Sequence, residues 1–223
     1  MPVYNEAEIL ACALEKLRRV AHDCSVIVVD GNSTDQTASI ARNFFPTEST
    51  AVHSRGAQMD CGARRLRACE PPIDVLLFLH ADSQLPPEFS QAIGRALDNP
   101  SVVGGCFRME FEPSRPMLRV YSWFTRFPGR LLHFGDQGYF VRREIFEEMG
   151  GYHEMPFLED VDFLRRLRRH GRFLVLPATI ITSARRFLRC GILRQQIKNF
   201  LIVTLFELGV PASRLARLYT HIR

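Results

Sequence analysis

The chain has 223 residues, enough for one hydrophobic core or for one α/β domain with a short appendage. Apolar residues make up 46% and charged residues 24%, which excludes a disordered polymer. The formal charge of +5 is unevenly spread: from Leu164 to Arg223, thirteen Lys or Arg stand against one acid, Glu207. Such a tail suits an anionic partner (diphosphate, phospholipid or nucleic acid), although for any single Arg a solvated basic face is the simpler account.

Met1-Pro2-Val3-Tyr4-Asn5-Glu6 reads as a strand end entering a helix, with Asn5 as cap and Glu8 as its reciprocal partner. Leu10, Leu14 and Leu17 recur at helical spacing. Ser25-Val26-Ile27-Val28-Val29 is a short apolar run ending in Asp30, the pattern of a buried parallel strand. A turn at Gly31–Thr34, a helix to about Asn43, a strand end at Val52-His53 and a helix over 57–69 follow. Val75–Leu79 is the next buried strand and runs into His80-Ala81-Asp82, and Pro86-Pro87 opens a helix that closes before Asn99-Pro100.

This alternation predicts a mostly parallel central sheet flanked by helices, with its ligand crevice at the carboxyl ends of the strands. Asp30 and Asp82 both fall at such ends and are expected to face one crevice.

Beyond residue 100 the pattern loosens. Strands are expected at 104–111, 138–141 and 173–176, and helices at 117–127 (aromatic-rich), 144–149, 161–170 (basic), 192–208 and after Pro211. No repeat or linker is visible, so the chain reads as one domain: a donor half over 1–100, an acceptor and catalytic half over 101–190, and C-terminal amphipathic helices over 191–223.

Absences narrow the chemistry. There is no GxGxxG and no GxxxxGK[ST], which argues against dinucleotide oxidoreductases and P-loop NTPases. The six cysteines are scattered without a CxxC pair, so they read as reduced thiols. No basic-then-apolar leader opens the chain, so a cytoplasmic location is expected.

Several residues fit the needs of group transfer from a diphosphate. Asp30 can accept from a base N–H or a ribose hydroxyl, or simply cap its turn with Asn32 and Ser33. Asp82, with His80 as a second candidate, can hold Mg²⁺ or Mn²⁺ beside phosphate oxygens, though an isolated HxD tripeptide is more often a loop. Glu159, Asp160 and Asp162 open a helix, where acids either cap the dipole or supply a catalytic base. Arg185-Arg186 can clamp a diphosphate or remain surface charge.

In order along the chain, Pro2-Val3-Tyr4-Asn5-Glu6, Val28–Asp35, the strand ending in Asp82, and Glu159-Asp160 resemble the large inverting glycosyltransferase family two. Ser54–Met59, Phe78–Ser83 and Gly135-Asp136-Gln137-Gly138 are similar to a small, stand-alone bacterial subgroup of it. The resemblance implies a GT-A fold, a nucleotide-sugar donor (usually UDP-linked) and a divalent metal. It implies that Pro2, Tyr4, Glu6 and Asp30 line the nucleotide pocket, with Arg55, Gln58 and Ala81 near the donor. Asp82 would be the metal carboxylate, Asp160 the catalytic base, and Asp136 and Gln137 would face the acceptor.

Three features depart from the family. His80 occupies the place of the first DxD aspartate, which leaves the metal's ligation open. The family's opening strand normally carries several β-branched residues before Pro2, and without them a neighbour strand is expected to be short of a partner. The QxxRW element of processive synthases is absent, so polymer synthesis is not expected.

Competing readings are a nucleotidyltransferase, for which Lys16 on a helix face is poorly placed, and a non-catalytic nucleotide-sugar binder. A nucleic-acid module on the basic C-terminal part ranks low, for want of a recognisable motif. The run Phe200–Phe206, flanked by Arg189, Arg194, Lys198, Arg214 and Arg217, is too short to span a bilayer. It suits either a core helix or a helix resting on anionic lipid, and the latter hints at a lipid-linked acceptor.

Overall fold

A computed structural model describes residues 1–51, 53–127, 129 and 133–219, with side chains through Ala216. Three short strands, β1 (Pro2–Val3), β2 (Val28–Asp30) and β3 (Thr47–Ser49), form a parallel sheet in that order. Helices α1 (Ala7–Val20) and α2 (Thr37–Arg42) make the crossovers. Leu10, Leu14 and Leu17 of α1 are buried as their spacing predicts. Each buried leucine contributes about 2 kcal/mol of transfer free energy.

The cap of α1 differs from expectation. Glu6 is its N-cap, and its side chain makes no capping bond. The cap comes from the turn after β2: Asp35 accepts from Ala7 N–H, and the Thr37 hydroxyl accepts from Glu6 N–H. Asn5 adopts φ 50 and instead accepts from Thr34 N–H, while its own N–H donates to the Ser33 hydroxyl. The segments 4–7 and 33–37 are thereby laced into one rim.

Helix α3 (Arg55–Arg65) follows β3, and Val52 of the expected strand end lies outside the described residues. The second sheet contains β4 (Val75–Phe78), β5 (Ser83–Gln84), β6 (Val102–Glu112), β7 (Tyr139–Arg142) and β8 (Arg172–Ser183), ordered β4-β7-β6-β8-β5. The parallel ladders of the molecule are β1–β2–β3 and β6–β8; β4, β5 and β7 pair antiparallel with their neighbours.

Gly104 and Gly105 sit where β6 is squeezed, since a Cβ there would strike the carbonyl oxygens of Phe140 and Leu174. β8 runs well past its expected end at Leu176. The register shift between Phe107 and Arg108 of β6 lets the ladder resume after Pro177, which cannot donate to it.

Helices α4 (Phe89–Leu97), α5 (Pro116–Phe124), α6 (Arg143–Glu148) and α7 (Glu159–His170) flank this sheet, followed by α8 (Arg185–Cys190), α9 (Ile192–Glu207) and α10 (Ala212–Tyr219). Leu158 and Val161 pack with Ile202, Val203, Phe206 and Leu215, fixing α9 and α10 to the start of α7. Three of the seven residues of the run at 200–206 are therefore core.

Between the two sheets lies an apolar cavity of about 500 Å³, lined by Met1, Val26, Ile27, Met59, Leu77 and Leu79 among others. The Met1 ammonium donates to Ile27 O at 2.8 Å, and burial lowers its pKa to about 5.

Candidate active site

A second cavity, of about 1010 Å³, opens where β1, β4 and β8 end. Its walls bring together Pro2, Tyr4, Glu6, Arg55, Gln58, His80, Ala81, Asp82, Asp136, Arg185 and Arg186, residues drawn from five distant parts of the sequence.

The floor is uncharged and tightly bonded. Gln58 is 1% exposed, and its amide donates to Val3 O at 2.9 Å and Val29 O at 2.8 Å, clamping β1 to β2. Tyr4 stacks on His53, with ring centroids 3.7 Å apart. Asp30 is not among the lining residues: both its oxygens accept from Ser33, one from N–H and one from hydroxyl. Of the two strand-end acids, Asp82 alone faces the crevice.

The rim is charged. Arg185 donates to Glu6 at 3.0 Å, joining β8's end to the N-terminal loop; this bond is the main reason its pKa is raised. His80 Nδ1 lies 2.8 Å from Asp136 Oδ1. Burial alone would raise the Asp136 pKa, but the bond and charge of His80, then Arg55 and Arg186, hold it well below the usual carboxylate range. Asp82 goes the other way: burial, then the charge of Asp136, raise its pKa. Arg55, open to the water of the cavity, is crowded by protein, but Glu159, Asp136, Asp160 and Asp82 outweigh that crowding and raise its pKa.

The first turn of α7 sits just behind this rim. Asp160 accepts from Gly135 N–H at 2.8 Å and from Val161 N–H at 2.9 Å. A Cβ on Gly135 would press on both His80 and Asp160, so glycine here lets the loop pass between them. Glu159 is buried, and burial followed by the charge of Asp160 raises its pKa. Neither Glu159 nor Asp160 is part of the cavity lining. Asp162 points elsewhere, 2.8 Å from both Arg165 and Arg166 and 2.9 Å from His153.

Gln137 is fully buried and also lies outside the lining. It donates to Phe107 O at 2.9 Å, and its amide oxygen meets His133 Nδ1 and Phe134 N–H.

Sequence reasoning missed one wall altogether. Arg194, Gln195, Lys198 and Asn199 of α9 line the cavity, with Arg189 and Cys190 of α8. The signal was present as polar pairs four apart, Arg194 with Lys198 and Gln195 with Asn199, which share a helix side. His53 carried no signal.

The α/β scaffold thus gathers acids and guanidinium groups on one rim at the ends of its strands. The model of "Glycosyl transferase family 2" matches residues 1–150, and the chain belongs to that family. No curated protein sequence matches it.

Among solved structures, a mannosyltransferase of Pyrobaculum calidifontis in complex with GDP-Man and Mn²⁺ is 17% identical with a TM-score of 0.67, over 94% of this chain and 64% of the other. Staphylococcus aureus TarS in complex with UDP-GlcNAc is 17% identical with a TM-score of 0.65, over 82% and 56%. Mannosyl-3-phosphoglycerate synthase of Rubrobacter xylanophilus is 17% identical with a TM-score of 0.55, over 93% and 73%. The chain thus spans less than two thirds of the length of the first two. At this identity the likeness establishes the fold, and the GT-A class expected from the motifs holds.

Proposed function

We propose that the protein transfers a sugar from a nucleoside-diphosphate sugar to an acceptor hydroxyl in a single, inverting displacement. The observation that carries this reading is the cavity rim, where Asp82 and Asp136 stand opposite Arg185 and Arg186 at the ends of the strands. Family membership and solved relatives holding GDP-Man and UDP-GlcNAc support it.

The residues fit a divalent cation. Asp82 and Asp136 are hard oxygen donors on one cavity, and their mutual repulsion is what a cation relieves. No three ligating side chains converge among the described residues. Mg²⁺ and Mn²⁺ at phosphate sites need only one or two carboxylates beside substrate oxygens and water. Asp82 is the first candidate ligand and Asp136 the second; His80 Nδ1 is already engaged by Asp136. When bound, the metal neutralises negative charge on the departing diphosphate.

The chain's own residues divide the remaining work. Tyr4 and His53 offer a stacking wall for a base, while Arg185 and Arg186 receive the diphosphate. Asp160 takes the acceptor proton as the hydroxyl oxygen bonds to the anomeric carbon and the bond to the diphosphate breaks. Inversion follows from placing that base on the face opposite the leaving group. Glu159 is the second candidate base: burial and the charge of Asp160 raise its pKa, and it adjoins Asp160, both of whose oxygens accept backbone N–H bonds.

In this reading residues 1–100 hold the donor and 101–190 the acceptor, while α9 and α10 rest on the cytoplasmic face of an anionic membrane beside a lipid-linked acceptor. No helix among the described residues is long and apolar enough to cross a membrane. Leu193, Ile197, Phe200 and Leu201 of α9 are exposed, with Arg194 and Lys198 beside them at the cavity. Arg214 of α10 is exposed, and the Arg217 side chain lies outside the described residues.

A thermal-shift panel tests the donor class. A UDP- or GDP-sugar with Mn²⁺ at roughly a hundred times its dissociation constant should raise the melting temperature by about 5–10 °C. No shift with any nucleotide-sugar would remove the basis of the reading.

A further inference from the structure

The exposed side of α5 and the turn that follows it present an apolar row that the proposed reaction does not use. Met117, Val120, Trp123, Phe124 and Phe127 recur three and four residues apart, and each is well exposed, Trp123 by 47%. The opposite side of the helix holds it to the protein: Leu118 is fully buried, and Tyr121 stacks on Phe111 with ring centroids 5.6 Å apart. Trp123, Phe124 and Phe127 meet edge-on, Trp123 to Phe127 at 4.7 Å, and the Arg126 guanidinium lies 5.5 Å over the Trp123 ring.

Exposed Arg115, Arg119 and Arg126 follow the same helix, and no acidic residue occurs between positions 113 and 135. A monomer gains nothing by showing water five large apolar side chains in one row.

We infer that this face of α5 is a membrane anchor, with Trp123, Phe124 and Phe127 seated among the headgroups of an anionic lipid surface and Arg115, Arg119 and Arg126 on its phosphates. Charge decides the occupant. A second copy docked on this face by a two-fold axis would bring the same three arginines together with no carboxylate from 113–135 to answer them. An anionic bilayer answers them continuously, and Trp beside Arg is the composition of interfacial helices. On the inward side α5 packs on α8, where Phe187 meets Tyr121 at 6.1 Å; Leu188 of α8 is exposed, and α9 follows with its own exposed row beside the cavity. The inference deepens the lipid-surface reading proposed above and rests on it, but its test reads α5 alone.

Trp123 is the only tryptophan in the chain, so its fluorescence reports this face and nothing else. The full chain is mixed with vesicles of phosphatidylcholine, with or without phosphatidylglycerol, carrying brominated acyl chains. The expected result is a blue shift and quenching of Trp123 with anionic vesicles, reversed by raised salt, and neither with neutral ones. Arg119→Glu combined with Arg126→Glu keeps the reporter and should weaken vesicle binding at least about tenfold.

Vesicle binding with unchanged Trp123 emission would overturn the α5 anchor and leave α9 as the contact. No vesicle binding at low salt would overturn both. A blue shift that grows with protein concentration in the absence of lipid would assign the face to a second copy and overturn the anchor.

Discussion

Two charged clusters lie on either side of the first turn of α7, and they are built to opposite rules. On the outer side Asp162 sits among three basic groups, Arg165, Arg166 and His153, all within 2.9 Å. Burial alone would raise its pKa, but the bonds and charge of Arg166 and Arg165 lower it. On the cavity side the balance reverses. Asp82, Asp136, Glu159 and Asp160 gather around Arg55, and Asp82 and Glu159 have raised pKa values. The outer cluster holds the fold together. The inner one keeps Asp82 and Glu159 where their charged forms are disfavoured, and that cost makes them available to a cation or a proton.

The largest expected effect lies in the inner cluster. Asp160→Asn keeps the shape and one of the two backbone contacts but removes the basicity. Transfer should fall by about 10²–10⁴-fold, the usual worth of a positioned base, while calorimetric donor affinity stays nearly constant. If Glu159→Gln has that effect and Asp160→Asn does not, the base is Glu159 and the turn is read one residue out.

The outer cluster should respond in stability alone. Asp162→Asn leaves two arginines around a neutral amide and should cost about 3 kcal/mol, a loss of about 6–12 °C in melting temperature, with kcat unchanged well below the transition. The pH dependence has a definite sign. The folded pKa lies below the ordinary value of 3.8, so the stabilisation is complete above 3.8 and is lost as pH falls through the lower folded value. Parent and variant should therefore converge in stability in strong acid, which acid titrations monitored by circular dichroism would detect.

The smallest effect has the opposite sign. Asp82 has a folded pKa above the ordinary carboxylate value, so its ionised form destabilises the fold once pH exceeds that folded pKa. Asp82→Asn should raise the melting temperature at neutral pH by about 2–4 °C, the equivalent of about 1 kcal/mol, and abolish the further rise that Mn²⁺ with donor gives the parent. A variant that melts lower than the parent would place Asp82 with the outer, structural kind of acid.

Much of the inner cluster was legible because it sits on patterned sequence. The apolar runs before Asp30 and Asp82 mark strand ends, and the motif order identifies Glu6, Arg55, Asp136 and Asp160 as its companions. The motif could not tell which acids face the cavity. Asp30 and Asp82 end similar strands, yet Ser33 takes both oxygens of the first. Gln137 sits beside Asp136 in sequence but turns into the core to bond Phe107 O.

Other features depend on long-range partners that no local pattern encodes. Glu6 and Arg185 meet across 179 positions. The extra length of β8 beyond Pro177 exists because β6 shifts register to accept it. The two residues of β5 are too few to show any period, and they form because Ser83 finds Thr182. The capping of α1 failed as a local rule for the same reason: Asp35 and Thr37, arriving from the turn after β2, displaced the Asn5 cap expected from spacing.

The central claim is a single displacement at the anomeric carbon of a nucleotide-sugar. Its most direct test is a proton NMR spectrum of the reaction started with the donor that gives the largest thermal shift, recorded before the free sugar or product anomerises. From an α-linked donor the account predicts a β-configured product, read from the anomeric coupling constant or, for a manno sugar, the one-bond C–H coupling, appearing with the nucleoside diphosphate. A product that keeps the α configuration, or a donor that is bound yet never cleaved, would contradict it.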